Sequence, residues 1–195
     1  MKSYSHPSNP NVPEHRRRRC SGRLWLFIGL AVVLAMASAV ALQPVHALQI
    51  SAVKRDRVVY LQRVYPGDQF STGYVHSVEL SPVREFYRLD PEYRMILTGT
   101  TFRSSNVGLP YAAFGQEVFH TEADGFRITN MHRVIPRLLI WADKSYQNRL
   151  QFKNQDMALY AFAGNTLIEV QIETLCLSRY LTEKAMVWME RCTPS

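Results

Sequence analysis

Cysteine is scarce in this sequence, with three residues in 195, at positions 20, 176 and 192. No spacing among them resembles a zinc site, which excludes a cysteine-built zinc module. No G-x-S-x-G turn is present to raise a nucleophilic serine, and no period of 20–50 residues marks a solenoid or propeller. Between residues 48 and 174 no long amphipathic helical pattern occurs, so helix-bundle and α/β architectures lack their helices. Acidic residues are almost missing from one end: residues 1–47 hold six Lys/Arg against a single acid, Glu14. The rest of the sequence carries 17 basic and 15 acidic groups, so most of the formal +7 charge belongs to the N-terminus. A nucleic-acid-binding surface therefore loses its main support, and no nucleic-acid partner is expected.

What is present begins with one apolar run. Residues 24–42, "LWLFIGLAVVLAMASAVAL", are 19 positions without a charge, close to the roughly 20 that cross a bilayer as a helix. Arg16, Arg17, Arg18, Arg19 and Arg23 precede it. A basic cluster on that side predicts a cytoplasmic segment 1–23, a single-pass anchor 24–42 in the cytoplasmic membrane, and a C-terminal part outside the cytoplasm. The same run also reads as a secretory signal, because Val45-His46-Ala47 resembles a small-residue cleavage site; the alternative is release to the periplasm after cleavage near Ala47. In either case the folded part meets an oxidising compartment, where Cys176 and Cys192 are free to pair; two unpaired buried thiols are the alternative.

From residue 48 the texture is β. "RVVYLQRV", "FSTGYVHSV" (70–78), "VREFYRL" (83–89) and "YRMILTGTTFRS" (93–104) are rich in β-branched and aromatic residues and are punctuated by Pro66-Gly67-Asp68, Leu80-Ser81-Pro82 and Asp90-Pro91-Glu92. Asp124-Gly125 predicts a tight hairpin joining "EVFHTEA" to "FRITNMH", with Glu122 opposite Arg127. "VIPRLLIWA", "YQNRLQFKN", "MALYAFA" and "TLIEVQIET" read as later strands. Short strands separated by turn signals predict an all-β domain over 48–174, an antiparallel sandwich or barrel. The tail, 175–195, reads as a short helix with Leu181, Ala185 and Trp188 on its apolar face. Trp141, Phe152 and Tyr160 are expected in the core.

The stretch "YVHSVELSPVREFY" (74–87) gathers His76, Ser77, Glu79 and Glu85. Alternation puts Phe70, Thr72, Tyr74, His76 and Val78 on one strand face, and Val83, Glu85, Tyr87 and Leu89 on one face of the next. A hairpin centred between Leu80 and Ser81 would set Tyr74 against Tyr87 and His76 against Glu85, making a polar pair inside the domain. Such a pair serves either to fix strand register, to hold a ligand, or as the base and orienter of a catalytic site. The same alternation sends Ser77 and Glu79 to the opposite face, so no residue is assigned as catalytic. A second candidate is the loop Arg103, Ser104, Ser105, Asn106, Gly108 and Pro110, whose donors and glycines suit an anion or satisfy their own backbone. His120 and His132 have no metal-ligand spacing with His76, and neither a metal nor another cofactor is expected.

The segments "GDQFSTGYVHSVELSPVREFYRL", "TTFRSSNVGLPY" and "DGFRITNMHRVIPRLLIW" resemble the small exported proteins of domain-of-unknown-function family 1850. The positions carrying the resemblance are Tyr74, His76, Ser77, Val78, Ser81, Pro82, Val83, Glu85, Phe86, Phe102, Ser104, Gly108 and Pro110. The sequence departs from the family at Ser105-Asn106-Val107, where Phe-Gly-Ala is more usual, and at Asn148, where histidine is common. The resemblance implies an uncharacterised activity and genes neighbouring TRAP transporters with TAXI-type solute receptors. The expectation is a non-enzymatic accessory or binding module whose partner is a transporter permease or solute receptor. A periplasmic small-solute-binding domain, or a hydrolase with His76 as base, is the alternative.

Overall fold

The computed structural model describes residues 22–78, 80–104 and 112–192. It forms two units, the second beginning at Ala41. The first contains α1 (Gly22–Ala41), a 20-residue helix. At about 1.5 Å rise per residue such a helix spans roughly 30 Å, the thickness of a bilayer's hydrocarbon core. Its span from Leu24 to Ala41 is long and apolar enough to cross a membrane, as a signal sequence also would be, and none of it is buried against protein.

The second unit is made mainly of antiparallel sheet. Four strands, β1 (Pro44–Ala52), β2 (Arg57–Arg63), β9 (Leu138–Ala142) and β12 (Thr166–Cys176), form one sheet in the order β2-β1-β12-β9. The other sheet runs β11-β10-β3-β4-β5-β7-β6, built from β3 (Gln69–Val75), β4 (Pro82–Leu89), β5 (Met95–Phe102), β6 (Val118–Glu122), β7 (Gly125–Thr129), β10 (Arg149–Phe152) and β11 (Gln155–Ala158). The short β8 (Arg133–Ile135) also pairs with β5. Among the described residues no ladder joins the two sheets, so the domain is an open sandwich and not a closed barrel.

One core fills the space between the sheets. Leu48, Ile50, Ile168 and Val170 project from the first, and Phe70, Tyr87, Leu89, Leu97, Leu150 and Phe152 from the second. Burying each such side chain contributes about 1.5–3 kcal/mol relative to leaving it in water. Tyr60 on β2 ties the layers by donating its hydroxyl to Gln155 Oε1 on β11. The other face of β1 and β2 carries Val45, Ala47 and Leu61, covered by α3 (Leu177–Cys192) through Leu177 and Tyr180.

Four local expectations are corrected. The run "VIPRLLIWA" is not one strand: Pro136 interrupts it, β8 stays with the larger sheet and β9 crosses to the smaller. Proline removes a ladder donor, so the chain changes sheets there. "MALYAFA" is not one strand either, because β11 ends at Ala158 and α2 (Leu159–Ala163) follows. The tail is a helix, as its pattern predicts, but with a different face inward. Tyr180 and Val187 are buried, whereas Leu181 and Trp188 are exposed. Trp141 is likewise no core residue. On β9 the inward positions are Leu138, Ile140 and Ala142, which leaves the indole 43% exposed.

Candidate functional site

The β3–β4 hairpin keeps the predicted faces and changes the predicted register. Tyr74 lies opposite Val83, Thr72 opposite Glu85 and Phe70 opposite Tyr87, a slide of four residues from Tyr74 against Tyr87. Four is even, so the same side chains still point inward. The cause is the connection. A two-residue turn at Leu80-Ser81 would need the positive-φ chemistry of Asn-Gly or Gly-x, and only Leu80 adopts a positive φ, +47°. The chain instead leaves β3 at Val75 and closes a wider loop in which His76 N–H donates to Ser81 O and Leu80 N–H donates to His76 O, both at 2.9 Å. Pro82 takes the first position of β4, where its missing N–H is tolerated.

His76 therefore does not face Glu85 across a ladder. It opens the turn, and its Nδ1 accepts the Val78 N–H at 3.4 Å. Because strand alternation stops at Val75, Ser77 is not sent to the far side either: His76 and Ser77 both line one cavity, together with Glu85. Glu79 lies outside the described residues.

That cavity has a volume of about 440 Å³, within the 300–1,000 Å³ typical of ligand pockets. It lies between the end of β3 and the edge strand β9, and the turn before β10 contributes Tyr146 and Asn148 to its lining. That turn is fastened by Val75 N–H donating to Tyr146 O at 2.8 Å and by Asp143 N–H donating to Asn148 Oδ1 at 3.1 Å. Leu138, Ile140 and Leu159 supply aliphatic lining, and Tyr74, Trp141 and Tyr146 aromatic lining.

The carboxylate in the wall is built from both strands of the hairpin. Glu85 Oε2 accepts the Tyr87 hydroxyl at 2.6 Å and the Thr72 hydroxyl at 3.4 Å. Tyr87 and Thr72 are buried, which holds the carboxylate from the core side. Burial, then the negative charge of Glu85 and the hydrogen bond to it, push the Tyr87 phenol far above the ordinary tyrosine range. Burial and then Glu85 push Tyr74 in the same direction. Both phenols consequently stay neutral at physiological pH, with protons to donate.

The remaining candidates are dispersed. Arg103 lines a different cavity, of about 340 Å³, with Arg84 and Arg127. Ser104 is described, while Ser105, Asn106, Gly108 and Pro110 lie outside the described residues. His120 sits on β6, 3.0 Å from the Thr129 hydroxyl, and His132 lines a third cavity beside Arg88, so the three histidines are not gathered. Among the described residues no group of three or more His, Cys, Asp or Glu could hold a metal ion. Cys176 Sγ lies 3.3 Å from the Ser178 hydroxyl; the Cys192 side chain lies outside the described residues.

Sequence reasoning missed Trp141, Tyr146, Asn148 and Arg149 as cavity residues. Only Asn148 carried a signal, as a departure from the pattern of the family that the sequence resembles. The other three come to the site through the crossing at Pro136 and the turn before β10, which no period in the sequence announces.

Fold and site together define a class: a small open β sandwich with a ligand-sized cavity that bears a carboxylate, Glu85, in a chain that also carries an apolar helix of membrane-spanning length. Residues 70–159 match the family described as Domain of unknown function (DUF1850). Every cavity-lining residue, from Thr72 to Leu159, falls inside that matched segment. No curated protein and no solved structure matches the chain.

Proposed function

We propose that the protein is a membrane-anchored binding module on the outer side of the cytoplasmic membrane, which seats a small solute between β3 and β9 and works beside a solute transporter. The observation that carries this reading is the cavity itself, where aromatic and aliphatic lining converges with one positioned carboxylate. Such a lining is the usual make-up of a ligand site. Outward placement of the domain is supported by Arg16–Arg19 and Arg23 ahead of the apolar run. Partnership with a TRAP-type transporter of the TAXI class is supported by the family resemblance.

Retention of the anchor is supported by β1. Cleavage after Ala47 would remove Pro44–Ala47, which pair with Cys176–Glu173 of β12. It would also discard the buried side chains of Val45 and Ala47 from beneath α3. Four ladder positions of an interior strand would be lost. Intact-mass measurement of the protein purified from its own membranes is expected to find residues 1–47 still attached. A mature N-terminus at Leu48 would overturn the anchored reading.

A hydrolase with His76 as base is disfavoured by the ring's orientation. Its Nδ1 already accepts the Val78 N–H at 3.4 Å, so that nitrogen is held by the turn and directed away from the role of a base or of a donor to an orienting carboxylate. The binding reading is tested by detergent extraction and affinity purification, with mass spectrometry of co-purified small molecules and polypeptides. A retained solute, together with a permease or solute receptor, is the expected result. Recovery of a solute that is chemically converted on incubation would replace the binding reading with an enzymatic one.

A further inference from the structure

The charge inventory of the cavity is lopsided. Its lining contains two charged side chains, Glu85 and Arg149, besides His76. Arg149 is already matched: its Nε donates to Asp156 Oδ1 at 2.9 Å and its Nη2 lies 2.9 Å from Asp156 Oδ2. Glu85 has no such partner. Its Oε2 accepts from two neutral hydroxyls, and among the described residues neither of its oxygens meets a lysine, arginine or histidine in an ion pair. A half-buried carboxylate without a cation carries a desolvation cost that hydroxyl donors only partly offset.

We propose that the β3/β9 cavity recognises the ammonium group of a small organic cation, with Glu85 as its counter-ion. This rests on the binding-module reading and adds the charge and class of the ligand. Thr72 and Tyr87 hold Oε2, which leaves Oε1 to accept an N–H from the ligand. Tyr74, Trp141 and Tyr146 line the same space, and an aromatic face attracts a cation by about 0.5–2 kcal/mol when the cation sits over it. Leu138, Ile140 and Leu159 suit the hydrocarbon part of an amine. An inorganic divalent ion is a poor fit, because calcium or magnesium demands six or more oxygen ligands and the lining offers one carboxylate. An anionic ligand would meet Glu85 with no unmatched arginine or lysine in the lining. The Lys54 ammonium does lie 5.3 Å from the Trp141 ring centre, but Lys54 is exposed and outside the lining, where solvent screens it.

The test uses the full-length protein in dodecyl maltoside micelles and ligand-observed NMR with three probes of matched size: n-butylammonium, n-butanol and butyrate. The ammonium probe is expected to bind most tightly, and Glu85→Gln to weaken it at least tenfold while weakening butanol much less. Circular dichroism establishes that the variant is folded. Should Glu85→Gln fail to fold, Trp141→Leu, at an exposed edge position, is expected to weaken n-butylammonium several-fold and butanol by less. Butyrate binding as tightly as butylammonium, or an ammonium affinity indifferent to the substitutions, would overturn the cation assignment and leave the binding module standing. Absence of binding by all three probes to the wild-type protein would overturn both.

Discussion

Two hairpins of the larger sheet, β3–β4 and β6–β7, invite comparison because their sequences promise the same thing and their environments differ. Each places a carboxylate near its turn: Glu85 in the first, Glu122 in the second. Each slides by an even number of residues from the register that its turn residues suggest. In β6–β7 the two-residue turn is Ala123-Asp124, so Glu122 pairs with Gly125 and His120 with Arg127. The expected opposition of Glu122 and Arg127 is not a ladder pair, yet the side chains meet diagonally at 2.7 Å. Glu85 faces the core, between Tyr87 and Thr72. Glu122 and Arg127 lie at the surface, each with about half of its side chain in solvent, 46%. The lesson is that alternation fixes which side of the sheet a carboxylate occupies, and the packing behind that side decides what it can do.

The comparison breaks most severely at Gly125. Its φ is +145°, and a Cβ there would lie 2.4 Å from the Phe102 carbonyl oxygen and 2.8 Å from Arg103 Cα. The first of these contacts is with backbone of the neighbouring strand, which cannot rotate away. Gly125→Ala is expected to lower stability by about 3 kcal/mol or more, combining backbone strain with overpacking. Thermal denaturation in micelles measures it. A loss below about 1 kcal/mol would mean that β7 readily shifts off β5, and that the second hairpin is held less tightly than the first.

Next comes the polar cluster of the first hairpin. Tyr87→Phe removes the 2.6 Å bond to Glu85 and leaves the ring's packing on Phe70 intact. A hydrogen bond to a charged group is worth about 1.5–3 kcal/mol, so a loss of roughly 2 kcal/mol is expected. The cluster also has a pH signature. The native Tyr87 phenol is raised above its unfolded value, chiefly by burial and then by Glu85. Its stabilising contribution is therefore complete below the unfolded value of about 10. It is lost as pH climbs from there towards the native value, because only the unfolded chain releases the proton. Denaturation of the wild type between about pH 9 and pH 11 should show this decline, and Tyr87→Phe should flatten it. An identical slope in both proteins would detach Tyr87 from the effect.

These experiments probe features that differ in how far the sequence exposed them. The inward faces were legible: Phe70 and Thr72 on one strand, and Val83, Tyr87 and Leu89 on the next, are buried as period-two alternation requires. The all-β class was legible for the same reason, since turn residues divide the chain into short β-branched runs. Register was not. It depends on how many residues the connection consumes, and Leu80-Ser81-Pro82 marks a break without stating its length. The cavity was legible on one side only. Glu85 and His76 stood out as polar residues on strand-forming ground, but Trp141 and Tyr146 come to the same cavity through the crossing at Pro136 and the Asp143–Tyr146 turn, from more than 50 positions further along the sequence. The run "LLIW" looks like any buried strand. Its place at the sheet edge, which leaves Trp141 half out of the core, is set by pairing with β12.

The smallest expected effect sharpens the comparison from its other side. Glu122→Gln removes one partner of the diagonal ion pair with Arg127. An exposed pair of this kind contributes about 0.2–1 kcal/mol, reduced further by salt. The loss is therefore expected to fall well short of that for Tyr87→Phe, and to vanish when denaturation is repeated at about 1 M salt, where the screening length falls to roughly 3 Å. Glu85→Gln measured in parallel should keep its effect at high salt, because its hydroxyl partners are shielded from solvent by the core. If Glu122→Gln instead matched Tyr87→Phe and resisted salt, the outer face of β7 would have to be covered by something other than water, and the contrast between a core-facing and a surface carboxylate would no longer separate the two hairpins.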